Sequence, residues 1–275
     1  MDDDDRPIGR VLSRREMLKL LAVAGVAAAA GCAPRLSGTE AAPTGIPAVS
    51  SGEIMPATTA ATAALPAAEP LAAATDFPAC VVRPAQTEGP FFVDERLNRS
   101  DIRTDSAGGA IKPGAPLALT FLVSRIGNAC EPLPGAIVDI WHCDAAGVYS
   151  GVNDARAGST AGSDFLRGYQ ITDPGGRASF TTIYPGWYPG RAVHIHFKIR
   201  TEEGGRNYDF TSQLYFDDAL TDQVYQAQPY VARGGRVTGN ADDGLYRNGG
   251  DQLLLTVVPA AEGYAATFGI GLQLG

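Results

Sequence analysis

Beyond Pro116 the chain runs in short apolar stretches broken by clusters of Gly, Pro, Asn and Asp. PLALTFLVSR, GAIVDIWHC, FLRGYQITD, RASFTTIYP, AVHIHFKIR, SQLYFDD, QLLLTVVPA and YAATFGIGLQL are rich in β-branched and aromatic residues and read as strands. TDPGGR, Thr172 to Arg177, predicts a hairpin turn between two of them. No segment keeps an amphipathic helical period for long, and Asp217 to Ala227 predicts only a turn or two of helix. There is no internal repeat. The pattern predicts an all-β domain, an antiparallel Greek-key β-sandwich with long loops that would carry the function.

The apolar pattern stops upstream. From Ala33 to Thr75, 32 of the 43 residues are Ala, Pro, Thr, Ser or Gly, too few large apolar groups to offset the entropy of ordering the chain. This stretch reads as a disordered tether, and the folded domain as residues 76–275. Residues 1–32 read as a signal peptide: Arg14 and Arg15 precede an apolar run from Leu20 to Ala30 that is too short to span a bilayer. The twin arginine is similar to the signal for export of folded proteins, and AAGC is similar to a lipoprotein cleavage box with Cys32 as the lipidated residue. The expectation is an exported protein held at the membrane by a lipid anchor on Cys32.

An exported chain permits disulfides. Cys80 opens the folded part and Cys130 lies in the polar turn GNACEPLPG, so these two are expected to pair, whereas Cys143 follows Trp141 on a core strand and reads as a buried thiol. The net charge of -8, with Lys and Arg scattered, argues against nucleic acid and for a small or neutral substrate. Oligomeric state is not readable from these features.

Two of the three histidines lie in AVHIHF. Strand alternation puts His194 and His196 on one face and Val193, Ile195 and Phe197 on the other, so two imidazoles can reach one ion. The third, His142 in DIWHC, reads as a hydrogen-bonded histidine of the core, and the residue between the pair is Ile195 rather than an acid. Two tyrosines stand near: Tyr149 in a Gly-bearing loop after a strand, and Tyr188 six residues before His194; Tyr184 reads as packing. A phenol has a pKa of about 10, so only a strongly Lewis-acidic ion such as ferric iron would keep two of them deprotonated at neutral pH. A zinc or copper hydrolase using His194 and His196 alone, and a non-catalytic β-sandwich binding module, are the other classes open on these residues.

WHCDAAGVYSG, GWYPGRAVHIHF and TSQLYFDD, with QTEGPFF upstream, together resemble the intradiol ring-cleavage dioxygenases, non-haem Fe(III) enzymes that include catechol and protocatechuate dioxygenases. The resemblance spans about Cys80 to Phe216. It implies that Tyr149, Tyr188, His194 and His196 are iron ligands, Tyr188 and His194 axial, Tyr149 and His196 equatorial. It further implies that a catechol binds in place of Tyr188, whose freed phenolate takes a substrate proton. Arg191 would stabilise the negative charge that develops on the substrate, Gln213 would share in the catalytic site, and Gly89, Pro90 and Phe91 would line the substrate pocket. The implied reaction joins both atoms of O2 to a catechol between its hydroxyl-bearing carbons, giving a cis,cis-muconate-type diacid. The chain departs from cytosolic members in lacking a long N-terminal helical region and in a shorter loop between Tyr188 and the histidines, which leaves the choice of catechol open.

Overall fold

The computed structural model of the protein describes residues 80–127, 130–154 and 157–274. The expected signal peptide, the tether and Cys32 lie outside the described residues. The strands are β1 (Pro116–Ile126), β2 (Cys130–Pro132), β3 (Ile137–Trp141), β4 (Asn153–Asp154), β5 (Gly158–Ser159), β6 (Arg167–Ile171), β7 (Arg177–Ile183), β8 (His194–Glu203), β9 (Arg206–Tyr215), β10 (Val257–Pro259) and β11 (Tyr264–Gln273). One helix, α1 (Asp218–Val224), follows β9, with Asp217 capping it by accepting the Leu220 N–H.

Strands β6, β3, β8 and β9 form one antiparallel sheet in that order. The second sheet runs β10, β11, β1, and the far edge of β1 is shared by β7 and β2. The two meet through alternate side chains: Phe121 of β1 lies 5.3 Å from Phe197 of β8, and Phe268 of β11 lies 5.6 Å from the same ring.

Three expectations need correction. The sandwich is not wholly antiparallel, because β1 and β11 pair in parallel; a long excursion separates them, so no tight turn forces them to oppose. TDPGGR is a turn but not a hairpin, since β6 pairs with β3 and β7 pairs with β1 in the other sheet. Asp173 closes that turn by accepting the Gly175 and Arg177 N–H groups, chemistry that reverses the chain without choosing which sheet the next strand joins. Of QLLLTVVPA, Gln252 and Leu253 end a 3₁₀ turn, Gly250–Leu253, and only Val257–Pro259 is strand, because the Leu255 N–H is taken by the Tyr215 carbonyl at the end of β9. Conversely β9 starts at Arg206, ahead of SQLYFDD: Gly204 and Gly205, both at positive φ, make a two-residue hairpin with Glu203 opposite Arg206.

The outer face of the four-stranded sheet is covered by the segment from Pro84 to Ile102. Its backbone joins β9 through Gln86 N–H to Thr211 O (3.0 Å), then β6 through a bridge at Tyr169, then β7 in the opposite sheet through a bridge at Thr181. Glu88 pairs with Lys198 of β8, Asp94 with Arg200, and Phe92 packs on Trp141 with ring centroids 4.8 Å apart.

Four residues ahead of this segment, Cys80 is joined to Cys130 by a disulfide that closes a separation of 50 residues. Cross-linking a loop of that size removes denatured-state entropy worth about 2–4 kcal/mol, so Cys130→Ser should lower the unfolding free energy by about that amount in denaturant titration. His142 is fully buried, bridging the Cys143 carbonyl (2.8 Å) and the Thr182 hydroxyl (2.7 Å), and burial pushes its imidazole from 6.5 to about 4. Between those values the unfolded chain binds a proton that the folded chain refuses, so stability falls as pH drops from about 6.5 towards 4. Unfolding titrations across that range should show His142→Gln with a slope shallower by about one proton.

Candidate metal centre

Pairing across the sheet aligns Arg167 of β6, Trp141 of β3, His196 of β8 and Gln213 of β9 in one row on the outer face. His194 stands one step along the same face, opposite Tyr215. The alternation of β8 is obeyed: Ile195, Phe197 and Ile199 fill the core between the sheets, while the two histidines point outward and are buried beneath Tyr149 and the turn at Gly89.

The Nε2 atoms of His194 and His196 are 3.0 Å apart, and the Tyr149 Oη is 3.1 Å from His194 Nε2. His194 Nδ1 lies 2.7 Å from the Ala192 carbonyl, which can only accept, so the ring proton sits on Nδ1 and the Nε2 lone pair faces Tyr149 and His196. Burial pushes His194 down to about 3, with Arg191 acting in the same direction, and holds His196 well below the usual imidazole range. Both are therefore neutral, the form that binds metals. His196 is oriented differently: its Nδ1 has no hydrogen-bond partner among the described residues, and its ring lies flat against Trp141, centroids 5.0 Å apart and planes 6° from parallel.

Tyr149 is buried on the loop after β3, and burial raises its phenol well above 10. Phe91 stacks on it at 4.4 Å and meets the half-buried Tyr188 edge-on at 5.4 Å; the rings of Tyr149 and Tyr188 are 6.0 Å apart. Gly89 is at φ 73°, and a Cβ on it would stand 3.3 Å from His196 Cε1, so the turn needs glycine on both counts. Pro90 is exposed on the same turn. Thus Tyr149, Tyr188, His194, His196, Gly89 and Phe91 lie together, with Pro90 at their rim. Tyr184 is buried elsewhere, bonded to Thr221 at 2.7 Å, and Cys143 is a buried free thiol.

Arg191 and Gln213 are joined, Nη2 to Oε1 at 2.5 Å, and Gln213 donates in turn to the Thr87 carbonyl at 2.9 Å. Sequence reasoning missed three partners of this network. Tyr215 donates to Gln86 Oε1 at 2.7 Å, and Asp243 accepts from Arg191 Nε at 3.0 Å. Trp141 could have been placed beside His196 by pairing its strand with β8; nothing in NADDGLY marks Asp243, which reaches Arg191 only through the path of the chain after α1.

The donor set decides which ion fits. Among the described residues no three His, Cys, Asp or Glu side chains converge on one point; the side chains that stand with His194 and His196 and could add donors are the phenols of Tyr149 and Tyr188. A phenol held neutral by burial, as that of Tyr149 is, yields its proton only to a strongly Lewis-acidic cation, and two phenolates with two neutral imidazoles would offset most of a 3+ charge. These residues fit ferric iron.

Residues 87–243, more than half of the chain, match the family model described as Dioxygenase. The protocatechuate 3,4-dioxygenase beta chain of Burkholderia cepacia is 30% identical over 141 residues, 47% of this chain and 59% of that protein. A chlorocatechol 1,2-dioxygenase of Pseudomonas putida is 30% identical over 105 residues, 32% of this chain and 37% of that one. The chain therefore spans less than two thirds of the length of these curated relatives. Among solved structures, an intradiol ring-cleavage dioxygenase from Tetranychus urticae superposes with a TM-score of 0.61 at 29% identity, covering 70% of this chain and 95% of that one. The dioxygenase domain of a carbohydrate-binding fusion from Streptomyces sp. SirexAA-E gives a TM-score of 0.50 at 31% identity, covering 71% and 100%. Matching sequence and matching fold lead to one conclusion: the protein belongs to the intradiol ring-cleavage dioxygenase family.

Proposed function

We propose that this protein is a non-haem Fe(III) enzyme that uses O2 to cleave a catechol between its two hydroxyl-bearing carbons, giving a cis,cis-muconate-type diacid. The observation that carries the reading is the meeting of three donor atoms: His194 Nε2 lies 3.0 Å from His196 Nε2 and 3.1 Å from the Tyr149 hydroxyl, with Phe91 stacked on Tyr149 and Trp141 flat against His196. Tyr149, Tyr188, His194 and His196 would hold the ion. When bound, it supplies Lewis acidity toward the two catechol oxygens and activates the ring toward O2.

The chain's own residues do the rest. Tyr188, half-buried at the rim, takes a proton from the incoming catechol on its phenolate oxygen and becomes the neutral phenol. Arg191 is a fixed cation beside the developing negative charge on the substrate, and it costs no reorganisation because Asp243 and Gln213 already hold it. Phe91 and the turn at Gly89 and Pro90 form the wall against which the aromatic ring lies.

The reading extends to place. The twin arginine, the short apolar run and Cys32 support export and lipid anchoring outside the cytoplasm, where plant-derived or other extracellular catechols would be met.

Ferric loading of the purified protein should produce a visible tyrosinate-to-iron band and O2 uptake with catechol. Tyr149→Phe should weaken ferric affinity by about 10–100-fold or more and shift or abolish the band, followed by titration in the spectrophotometer. A band and an affinity unchanged in Tyr149→Phe would overturn the ligand assignment. Arg191→Ala should keep the band and lower kcat by about 10²–10³-fold, measured by oxygen electrode.

A further inference from the structure

We infer that Asp243 is a positioning residue that holds Arg191 and the orienting carbonyl of His194 in register through a single carboxylate oxygen. The inference rests on the proposed function for its chemical meaning but on the hydrogen bonds alone for its geometry. Asp243 Oδ2 accepts from Arg191 Nε at 3.0 Å and from the Ala192 backbone N–H at 2.9 Å. The other side of the same residue, the Ala192 carbonyl, receives His194 Nδ1–H at 2.7 Å. One oxygen thus fixes the guanidinium directly and the imidazole through one amino acid.

The two oxygens have separate tasks. Oδ1 accepts the Leu245 N–H at 2.7 Å and the Tyr246 N–H at 3.4 Å, which anchors the carboxylate to its own turn, while Oδ2 faces the site. Asp243 is only 2% exposed, so these bonds are not exchanged with bulk water. A buried carboxylate with four N–H donors around it is rigid, and a rigid carboxylate fixes what it holds. Burial opposes its charge, yet the Ala192 amide and Arg191 keep its carboxyl below the usual carboxylate range.

Arg191 would otherwise have freedom that catalysis cannot tolerate. Its long side chain starts outside β8, and its remaining contacts are Gln213 Oε1 at 2.5 Å and the Tyr215 Oη at 3.4 Å, both from β9. With Asp243 on Nε and Gln213 on Nη2, the planar guanidinium is held at two of its nitrogens, which sets its plane as well as its position. The same clamp explains why His194 has a fixed tautomer through a backbone carbonyl: the carbonyl's own residue is pinned. Asp243 comes from the connection that follows α1, so a segment remote in sequence completes the centre.

Asp243→Asn tests this, because the amide keeps the volume but offers an NH2 group where either Arg191 and Ala192 or the Leu245 turn needs an acceptor. Asp218→Asn is the control: Asp218 steadies the same segment by accepting the Asn240 N–H at 3.0 Å and pairing with Arg236 at 3.0 Å, away from the centre. Two measurements on the full chain are compared. In metal-free protein, ring ¹⁵N shifts should report His194 as the Nδ1–H tautomer in wild type and Asp218→Asn and as a tautomer mixture in Asp243→Asn, with Arg191 Nε–H exchange at least about tenfold faster. In ferric protein, Asp243→Asn should lower kcat for catechol by about 10–100-fold with a smaller change in KM, while Asp218→Asn lowers thermal stability alone. If Asp243→Asn changes only the melting temperature, or if Asp218→Asn reproduces its tautomer mixture and kcat loss, the positioning role is wrong. If wild type turns over no member of a panel of plain and substituted catechols, the functional reading fails, and the metal-free comparison still decides the role of Asp243.

Discussion

Two neutral imidazoles, a tryptophan ring and a glutamine can be buried on the outside of a four-stranded sheet only if another piece of chain covers them. Strand β8 has no spare face: Ile195, Phe197 and Ile199 are needed between the sheets, which leaves His194 and His196 pointing away from the core. The segment from Pro84 to Ile102 resolves this by crossing the outer face from β9 to β6 and continuing to β7. Its ion pairs, Glu88 with Lys198 and Asp94 with Arg200, involve carboxylates that are 37% and 33% exposed, and such pairs contribute about 0–1 kcal/mol each. The stacking of Phe91 on Tyr149 and the tilted contact of Phe92 with Trp141, each worth about 0.5–1.5 kcal/mol beyond the area it buries, and the backbone bonds to the sheet edges outweigh them. The ion pairs choose the register of the segment more than they hold it down.

Once covered, the site is electrostatically primed. Burial keeps both imidazoles and the Tyr149 phenol uncharged, so these three groups present donor atoms without charge. The fixed charges stand one layer back, with Arg191 tied to Asp243 and Arg200 tied to Asp139. The two histidines are oriented by unlike means, His194 by a hydrogen bond to Ala192 and His196 by the flat face of Trp141. A perturbation that repacks the covering segment would therefore reach His196 before His194.

Much of this could be read along the chain, and the limits have physical causes. The alternation in AVHIHFKIR fixes the shared face of the histidines, and a tyrosine in a glycine-bearing loop after a strand places Tyr149 at a sheet end. Alternation does not say which sheet a strand joins, and so TDPGGR suggested a hairpin where the chain crosses between sheets. It does not give direction for a strand arriving after a long excursion, as β11 does beside β1. The glycine pair at 204 and 205 was a hairpin signal that the apolar runs obscured, since RNYDFT has few large aliphatic residues. Asp243 and Tyr215 were not marked at all, because their roles depend on tertiary neighbours far away in sequence.

The central claim is that this centre, loaded with iron, inserts both atoms of dioxygen between the hydroxyl-bearing carbons of a catechol. The direct measurement is mass spectrometry of the product formed from catechol under ¹⁸O2 by the ferric protein. The account predicts a cis,cis-muconate-type diacid carrying label in both carboxyl groups. An unlabelled product, or one cleaved beside rather than between the hydroxyl-bearing carbons, would contradict it.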